Sequence, residues 1–224
     1  MLCIVQSRMS SRRLPGKMML DVKNRVLLGR VVDRLVKAQK ISKVVVATSD
    51  HESDQAIADF CGRESILCVR GPLDDVVDRF RRVIDQERAH AFVRINGDSP
   101  LIDPVLVDRA IGYFEQAECD LATNVLPRTF PKGQSVEVLL SETFLRTCPA
   151  LTSTEQREHV TSIYYEDPSA YRIVSFTSGM DLSRMSLSVD TPEDLSKVEA
   201  ILERSGDRPP GWRGLASLHG ALFP

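Results

Sequence analysis

A stretch near the start of the chain, Gln6-Ser-Arg-Met-Ser-Ser-Arg-Arg-Leu-Pro-Gly-Lys17, gathers four cations and three hydroxyls around one proline and one glycine. Phosphate groups call for this mixture, because they need fixed positive charge together with freely presented hydrogen-bond donors. Arg8, Arg13 and Lys17 are therefore candidates to neutralise a triphosphate, with Ser10, Ser11 and Gly16 as donors. The G-x-x-x-x-G-K-[ST] spacing of the P-loop ATPases is missing, which argues against that class. A basic loop that merely faces water is the competing explanation. The position of the stretch, directly after the short apolar run Leu2-Cys-Ile-Val5, brings the two readings level.

Two carboxylates could serve such a phosphate. Asp98 lies in Val93-Arg-Ile-Asn-Gly-Asp-Ser-Pro-Leu101, at an expected strand end beside Gly97. Mg²⁺ takes one or two carboxylates and completes its shell with phosphate oxygens and water, which suits Asp98. Asn-Gly-Asp is also good turn chemistry and needs no ligand to explain it. Asp190, in Leu187-Ser-Val-Asp-Thr-Pro-Glu-Asp-Leu195, is a candidate second metal ligand just ahead of a helix cap formed by Thr191 to Asp194. Arg157-Glu-His159 places ionisable side chains side by side in an expected helix, where at most two of them reach one site. Lys132-Gly133 turns into a strand and reads either as an anion-binding loop or as a plain hairpin turn. The five cysteines (Cys3, Cys61, Cys68, Cys119, Cys148) form no C-x-x-C pair and the four histidines are dispersed, so zinc and cysteine-nucleophile chemistry are disfavoured.

The elements that must position these residues follow from periodicity. Short apolar runs at 2–6, 43–48, 65–70 and 91–95 read as buried strands, and helical spacing appears at 26–37, 53–61, 75–89 and 104–116. Alternating strand and helix predicts an α/β fold with a mostly parallel sheet flanked by helices. In such sheets ligands sit beyond the carboxyl ends of the strands. Arg8 to Lys17, Ser49-Asp50 and Asn96 to Ser99 all follow expected strand ends and should converge on one crevice. The second half is less regular, with expected strands at 135–140, 171–176 and 185–189 and helices at 154–166 and 191–203. One domain over 1–204 is expected, with 205–224 a Gly- and Pro-rich tail of partial order at best. The 224 residues carry a formal charge of −2, with 42% hydrophobic and 27% charged side chains. That balance gives no electrostatic footprint for nucleic acid. No apolar run approaches the roughly 20 residues of a membrane helix, and the N-terminus lacks the basic region of a signal peptide. A cytoplasmic protein is the expectation.

In this order, the segments resemble the sugar-acid cytidylyltransferases, the family of acylneuraminate and 3-deoxy-manno-octulosonate cytidylyltransferases, and most of all its spore-coat polysaccharide biosynthesis protein F branch. The likeness rests on Gln6 to Lys17, Val45-Val-Ala-Thr-Ser-Asp50, Arg70-Gly-Pro-Leu-Asp-Asp-Val-Val-Asp-Arg-Phe80, Arg94-Ile-Asn-Gly-Asp-Ser-Pro-Leu101, Arg157-Glu-His-Val160 and Ser188-Val-Asp-Thr-Pro-Glu-Asp-Leu195, over roughly residues 1–203. It implies a Rossmann-like nucleotidyltransferase fold and attack of a sugar hydroxyl on the α-phosphate of CTP, with pyrophosphate leaving. It further implies that Gln6, Arg8, Met9, Ser10, Ser11, Arg13 and Lys17 serve the triphosphate, and that Asp98 and Asp190 hold Mg²⁺. Ser49, Asp50, Arg79, Arg94, Asn96 and Gly97 would border base and ribose. Asn124, Lys132, Glu137, Arg157 and His159 would approach the sugar, and a homodimer through the second half is implied. The chain departs from the family at Ser10-Ser11-Arg12-Arg13, where relatives more often show Gly-Ser-Thr-Arg, and at Gln134-Ser135. A nucleotidyltransferase using another NTP with a sugar 1-phosphate, or a non-catalytic nucleotide-binding protein of a polysaccharide locus, stays open beside this reading.

Overall fold

Short β-branched strands separated by helices pair in parallel, because each crossover returns the chain to the same end of the sheet before the next strand begins. The computed structural model, which describes residues 1–206 and 209–223, has that arrangement in its first half. The order is β1 (Leu2–Gln6), α1 (Leu27–Leu35), β2 (Lys43–Ser49), α2 (Gln55–Arg63), β3 (Leu67–Gly71), α3 (Val76–Glu87), β4 (Ala91–Asn96) and α4 (Pro104–Gln116). The second half adds β5 (Leu121–Thr123), β6 (Glu137–Leu140), α5 (Ser141–Thr147), α6 (Thr154–Glu158), α7 (Ser162–Glu166), β7 (Ile173–Ser175), α8 (Pro192–Ser205) and α9 (Trp212–Leu222). One seven-stranded sheet results, in the order β3-β2-β1-β4-β6-β5-β7. Its strands are parallel except β6, which runs antiparallel to both β4 and β5.

Alternation along β1 splits the core. Cys3 and Val5 face the layer of α1, α2, α4, α8 and α9, while Leu2 and Ile4 face that of α3, α5 and α7. Phe80, Phe92 and Phe144 knit the second layer through edge-to-face contacts, with centroids 5.8 Å and 5.3 Å apart for the pairs that include Phe92. From β1 the chain winds outward to β2 and β3, then crosses back to β4 on the other side. That reversal opens a crevice between the carboxyl ends of β1 and β4, where Gln6 and Asn96 are register partners.

Several elements differ from expectation. Residues 185–189 form no strand. They run beside residues 131–133 through a single parallel bridge, Lys132 to Ser186. Gly133, at φ 86°, lets them in, since a Cβ there would stand 2.7 Å from the carbonyl carbon of Leu187. The helix expected over 154–166 is broken in two at His159, which leaves helical geometry (φ −104°, ψ 70°). The tail expected to be partly ordered carries α9. Its Trp212 packs edge-on against Phe130 at 4.9 Å and donates its N–H to Asp103 at 2.8 Å. Leu215 of the same helix is fully buried. Gly211, Gly214, Gly220, Pro209 and Pro210 mask the helical signal there. Among the described residues no helix is long and apolar enough to cross a membrane.

Candidate functional site

The loop after β1 curls on its own backbone. The carbonyl of Met9 accepts N–H bonds from Ser11 at 2.9 Å and Gly16 at 3.0 Å, and Gly16 adopts φ 74°, a left-handed turn suited to glycine. A 3₁₀ turn, Lys17–Met19, then sends Lys17 inward, where only 5% of it is exposed. The loop forms one side of a cleft of about 740 Å³ at the β1/β4 switch point. Asn96, Gly97 and Asp98 at the end of β4 border it, as do Asp190, Leu73-Asp74 after β3, and Thr154, Glu158 and His159 of α6 and its end.

Lys17 is the hub. Its Nζ donates to Asp98 Oδ2 at 2.8 Å, Asp190 Oδ1 at 2.9 Å and the Val189 carbonyl at 2.8 Å, which satisfies all three of its protons. Arg13 reaches the second oxygen of Asp190 at 3.2 Å. The carboxylates are set by backbone. Gly97 donates its N–H to the Gln6 carbonyl at 2.8 Å, in an approach so close that a Cβ would lie 2.9 Å from that oxygen. Val189 donates to the Asp98 carbonyl at 2.9 Å, which ties Asp98 to the segment carrying Asp190. Behind them Gln134, fully buried, links the Leu101 carbonyl (2.7 Å) to the Asp103 amide (3.0 Å), which accounts for a polar residue at that departure from the family. Two carboxylates and a carbonyl converging on one cation make an all-oxygen donor set of the kind Mg²⁺ prefers, so Asp98 and Asp190 fit that ion. No group of three or more His, Cys, Asp or Glu side chains suited to a metal occurs among the described residues.

Of the residues expected from sequence, Gln6, Arg8, Ser10, Ser11, Arg13, Lys17, Asn96, Gly97, Asp98, His159 and Asp190 border this cleft. Others stand elsewhere, for reasons that are physical. Met9 has its N–H taken by Asp54 and its carbonyl by the loop itself. Ser49 is fully buried and bonded to Asp54, so the 49–50 turn does not join the crevice as expected. Asp50 is exposed and pairs by backbone with Gly71 at 2.7 Å. Asn124 is buried and engaged by backbone at both ends of its amide, donating to the Gln134 carbonyl (2.7 Å) and accepting from the Val136 amide (2.9 Å). Lys132 is exposed outside the cleft. Arg157 turns to Asp75 at 2.7 Å and to the Leu151 carbonyl at 2.8 Å, leaving Glu158 and His159 to face the cleft.

Arg94 and Glu137 are register partners on β4 and β6 and form a buried ion pair beside the cleft. Arg94 also donates to Gln6 Oε1 at 3.0 Å, and Glu137 accepts the Tyr165 hydroxyl at 2.6 Å. Burial, and then the Glu137 charge, push the Tyr165 hydroxyl far up, so it stays a donor. Arg79 is fully buried and none of its guanidinium nitrogens has a protein acceptor. Burial lowers its pKa to about 10, a fall that the charges of Asp54, Asp75 and Glu158 oppose and that of Arg8 reinforces. Glu158 pairs with Arg8 across the cleft. Sequence reasoning did not assign Ser7, Arg12, Met18, Leu73, Asp74 and Thr154 to the cleft, whereas Glu158 and His159 are the two of Arg157-Glu-His159 that reach it. The strand-end rule applied to β3 would have found Leu73 and Asp74.

The family described as Cytidylyltransferase matches residues 2–207. The spore coat polysaccharide biosynthesis protein SpsF of Bacillus subtilis (strain 168) is 32% identical over 217 residues, which is 93% of this chain and 88% of that protein. A cytidylyltransferase structure from Leptospira borgpetersenii serovar Hardjo-bovis superposes with a TM-score of 0.94 at 23% identity, covering 98% of this chain and 93% of that one. A CMP:2-keto-3-deoxy-manno-octonic acid synthetase solved with CTP superposes with a TM-score of 0.69 at 19% identity, covering 92% and 99%.

Proposed function

The chain belongs to the cytidylyltransferase family, and on that premise we propose that it transfers CMP from CTP to a sugar acid and releases pyrophosphate, in the assembly of a surface polysaccharide or related glycan. The observation that carries this reading is the meeting of Lys17, Asp98 and Asp190 beside a loop that presents Arg8, Arg12 and Arg13 to one cleft. A triphosphate needs that density of cations, and the two carboxylates among them, here paired with Lys17 and Arg13, are the oxygen ligands that Mg²⁺ takes beside phosphate. The likeness to the synthetase solved with CTP supports the choice of nucleotide and of acceptor class.

In this mechanism Arg8, Arg13 and Lys17 offset the charge of the triphosphate and hold its α-phosphorus in line with the acceptor hydroxyl. Ser10 and Ser11 donate to phosphate oxygens. Asp98 and Asp190 would hold Mg²⁺, which would supply Lewis-acid chemistry at the reacting phosphate and favour ionisation of the attacking hydroxyl. Asn96 and Gly97 border the ribose, and His159 faces the acceptor. No histidine is needed as a general base. Pyrophosphate release measured with Mg²⁺, each of the four NTPs and a panel of sugar acids and sugar 1-phosphates tests the reading. Release that requires both CTP and a sugar acid supports it. Release with another NTP, or with a sugar 1-phosphate alone, replaces it.

A further inference from the structure

Asp54 is a charged residue that the sequence motifs left without a role. It is fully buried at the start of α2, yet its side chain caps nothing in its own helix. Oδ1 instead accepts the Met9 amide at 2.7 Å, beyond the end of β1. Oδ2 accepts the Ser49 amide at 3.0 Å, the Ser49 hydroxyl at 2.5 Å and the Thr48 hydroxyl at 3.1 Å, at the end of β2. Burial by itself would push this carboxyl up. The Ser49 hydroxyl, the two amides and the Thr48 hydroxyl more than offset burial and hold it below the usual carboxylate range, so it carries its charge in the folded protein.

The Met9 end of this clamp is the root of the phosphate loop. The Met9 amide is fixed by Asp54, and the Met9 carbonyl closes the loop through Ser11 and Gly16. The two peptide groups that flank Met9 therefore set where Arg8, on one side, and Ser10 and Ser11, on the other, enter the cleft. We propose that Asp54 is a positioning residue for the triphosphate, gripping Met9 so that the loop is curled to receive phosphate before any ligand arrives. The inference deepens the CTP reading and rests on it. Asp54 does not border the cleft, and its contact with the loop that lines it is the Met9 amide. Fixing donors in advance lowers the ordering cost of binding, which places the effect in ligand affinity.

The test compares Asp54→Asn with Thr48→Val in the full chain. Thr48→Val removes a bond to the same carboxylate and none to Met9. Three quantities are read: hydrogen exchange of the Met9 amide, calorimetric affinity for CTP and for pyrophosphate, and the split between kcat and KM. We expect Asp54→Asn to lose protection at Met9 and to weaken both ligands about tenfold, on the scale of one charge-assisted hydrogen bond. Its kcat should change far less than its KM, and Thr48→Val should keep ligand affinity within about twofold. Should Asp54→Asn not fold, replacing the Arg8–Met9 amide by an ester removes the Met9 donor alone and should weaken pyrophosphate to the same extent. A folded Asp54→Asn, or an ester variant, that binds both ligands like the parent overturns the proposal. So does a Thr48→Val that weakens them equally. Wild-type protein that binds neither ligand would overturn the nucleotide reading itself, and Met9 exchange would still report whether the clamp exists.

Discussion

The two walls of the cleft are built by different means. The wall of Gln6 to Met18 with Asn96 to Asp98 is fastened by backbone: Met9 closes on Ser11 and Gly16, Gly97 on Gln6, and Val189 on Asp98. The wall of Leu73-Asp74 with Thr154 to His159 is tied to its surroundings by side-chain ion pairs, Arg8 to Glu158 and Arg157 to Asp75. Backbone contacts between strand ends cannot be rearranged without moving a strand, whereas partly exposed ion pairs exchange partners at lower cost. Under the proposed reaction the first wall would meet the nucleotide and the second the acceptor, so acceptor choice is assigned to the second wall.

The difference can be broken most severely at Asp98 and Asp190, the proposed metal ligands. Asp98→Ala or Asp190→Ala should lower turnover by about 10³-fold or more, the scale of losing an electrostatic stabiliser of the transition state, with near-native thermal unfolding. Unfolded variants would instead mark the Asp98 turn as structural. Lys17→Met should come next. Its ammonium faces two carboxylates here, and its loss should cut kcat/KM by about 10²-fold while CTP affinity falls in the same direction. Gly133→Ala should destabilise by about 1–3 kcal/mol, since it combines a positive φ with a Cβ forced against Leu187, and it should weaken metal binding by shifting Asp190.

Acid should act on the rigid wall. The Asp54 carboxyl sits lower in the folded than in the unfolded protein, so its stabilising effect is complete above the ordinary carboxylate range near pH 4 and fades as pH falls through the folded value. Asp54→Asn should therefore flatten the loss of thermal stability below about pH 4, and an unchanged acid slope would contradict this. Glu158→Gln should do least. Arg8 and Glu158 have side chains about one-third exposed, so freeing Arg8 should alter KM for CTP by only a few-fold.

Legibility in the sequence followed the same division. The βα half was readable because Val44 to Ala47, Ala91 to Ile95 and their helices obey periodicity over whole elements, and the loops at strand ends inherit their places from it. Lys17, Asp98 and Asp190 were readable as cleft residues by type and position. What escaped depends on contacts between segments far apart in sequence. β5 is three residues long, too short to show a period. Arg157 matched a family motif, but its partner Asp75 lies 82 positions away. Asn124 looked available for a ligand until the backbone of residues 134–136 claimed both ends of its amide. Asp54 carries no motif, and only the approach of two strand ends gives it meaning.

The most direct measurement is electron paramagnetic resonance of Mn²⁺ titrated into the protein with and without CTP, in the parent and in Asp98→Ala/Asp190→Ala. The account predicts stoichiometric, CTP-dependent binding of Mn²⁺ in the parent and its loss in the double variant. Equal Mn²⁺ binding in both proteins would contradict the claim that these carboxylates and the cationic loop form one metal–triphosphate site.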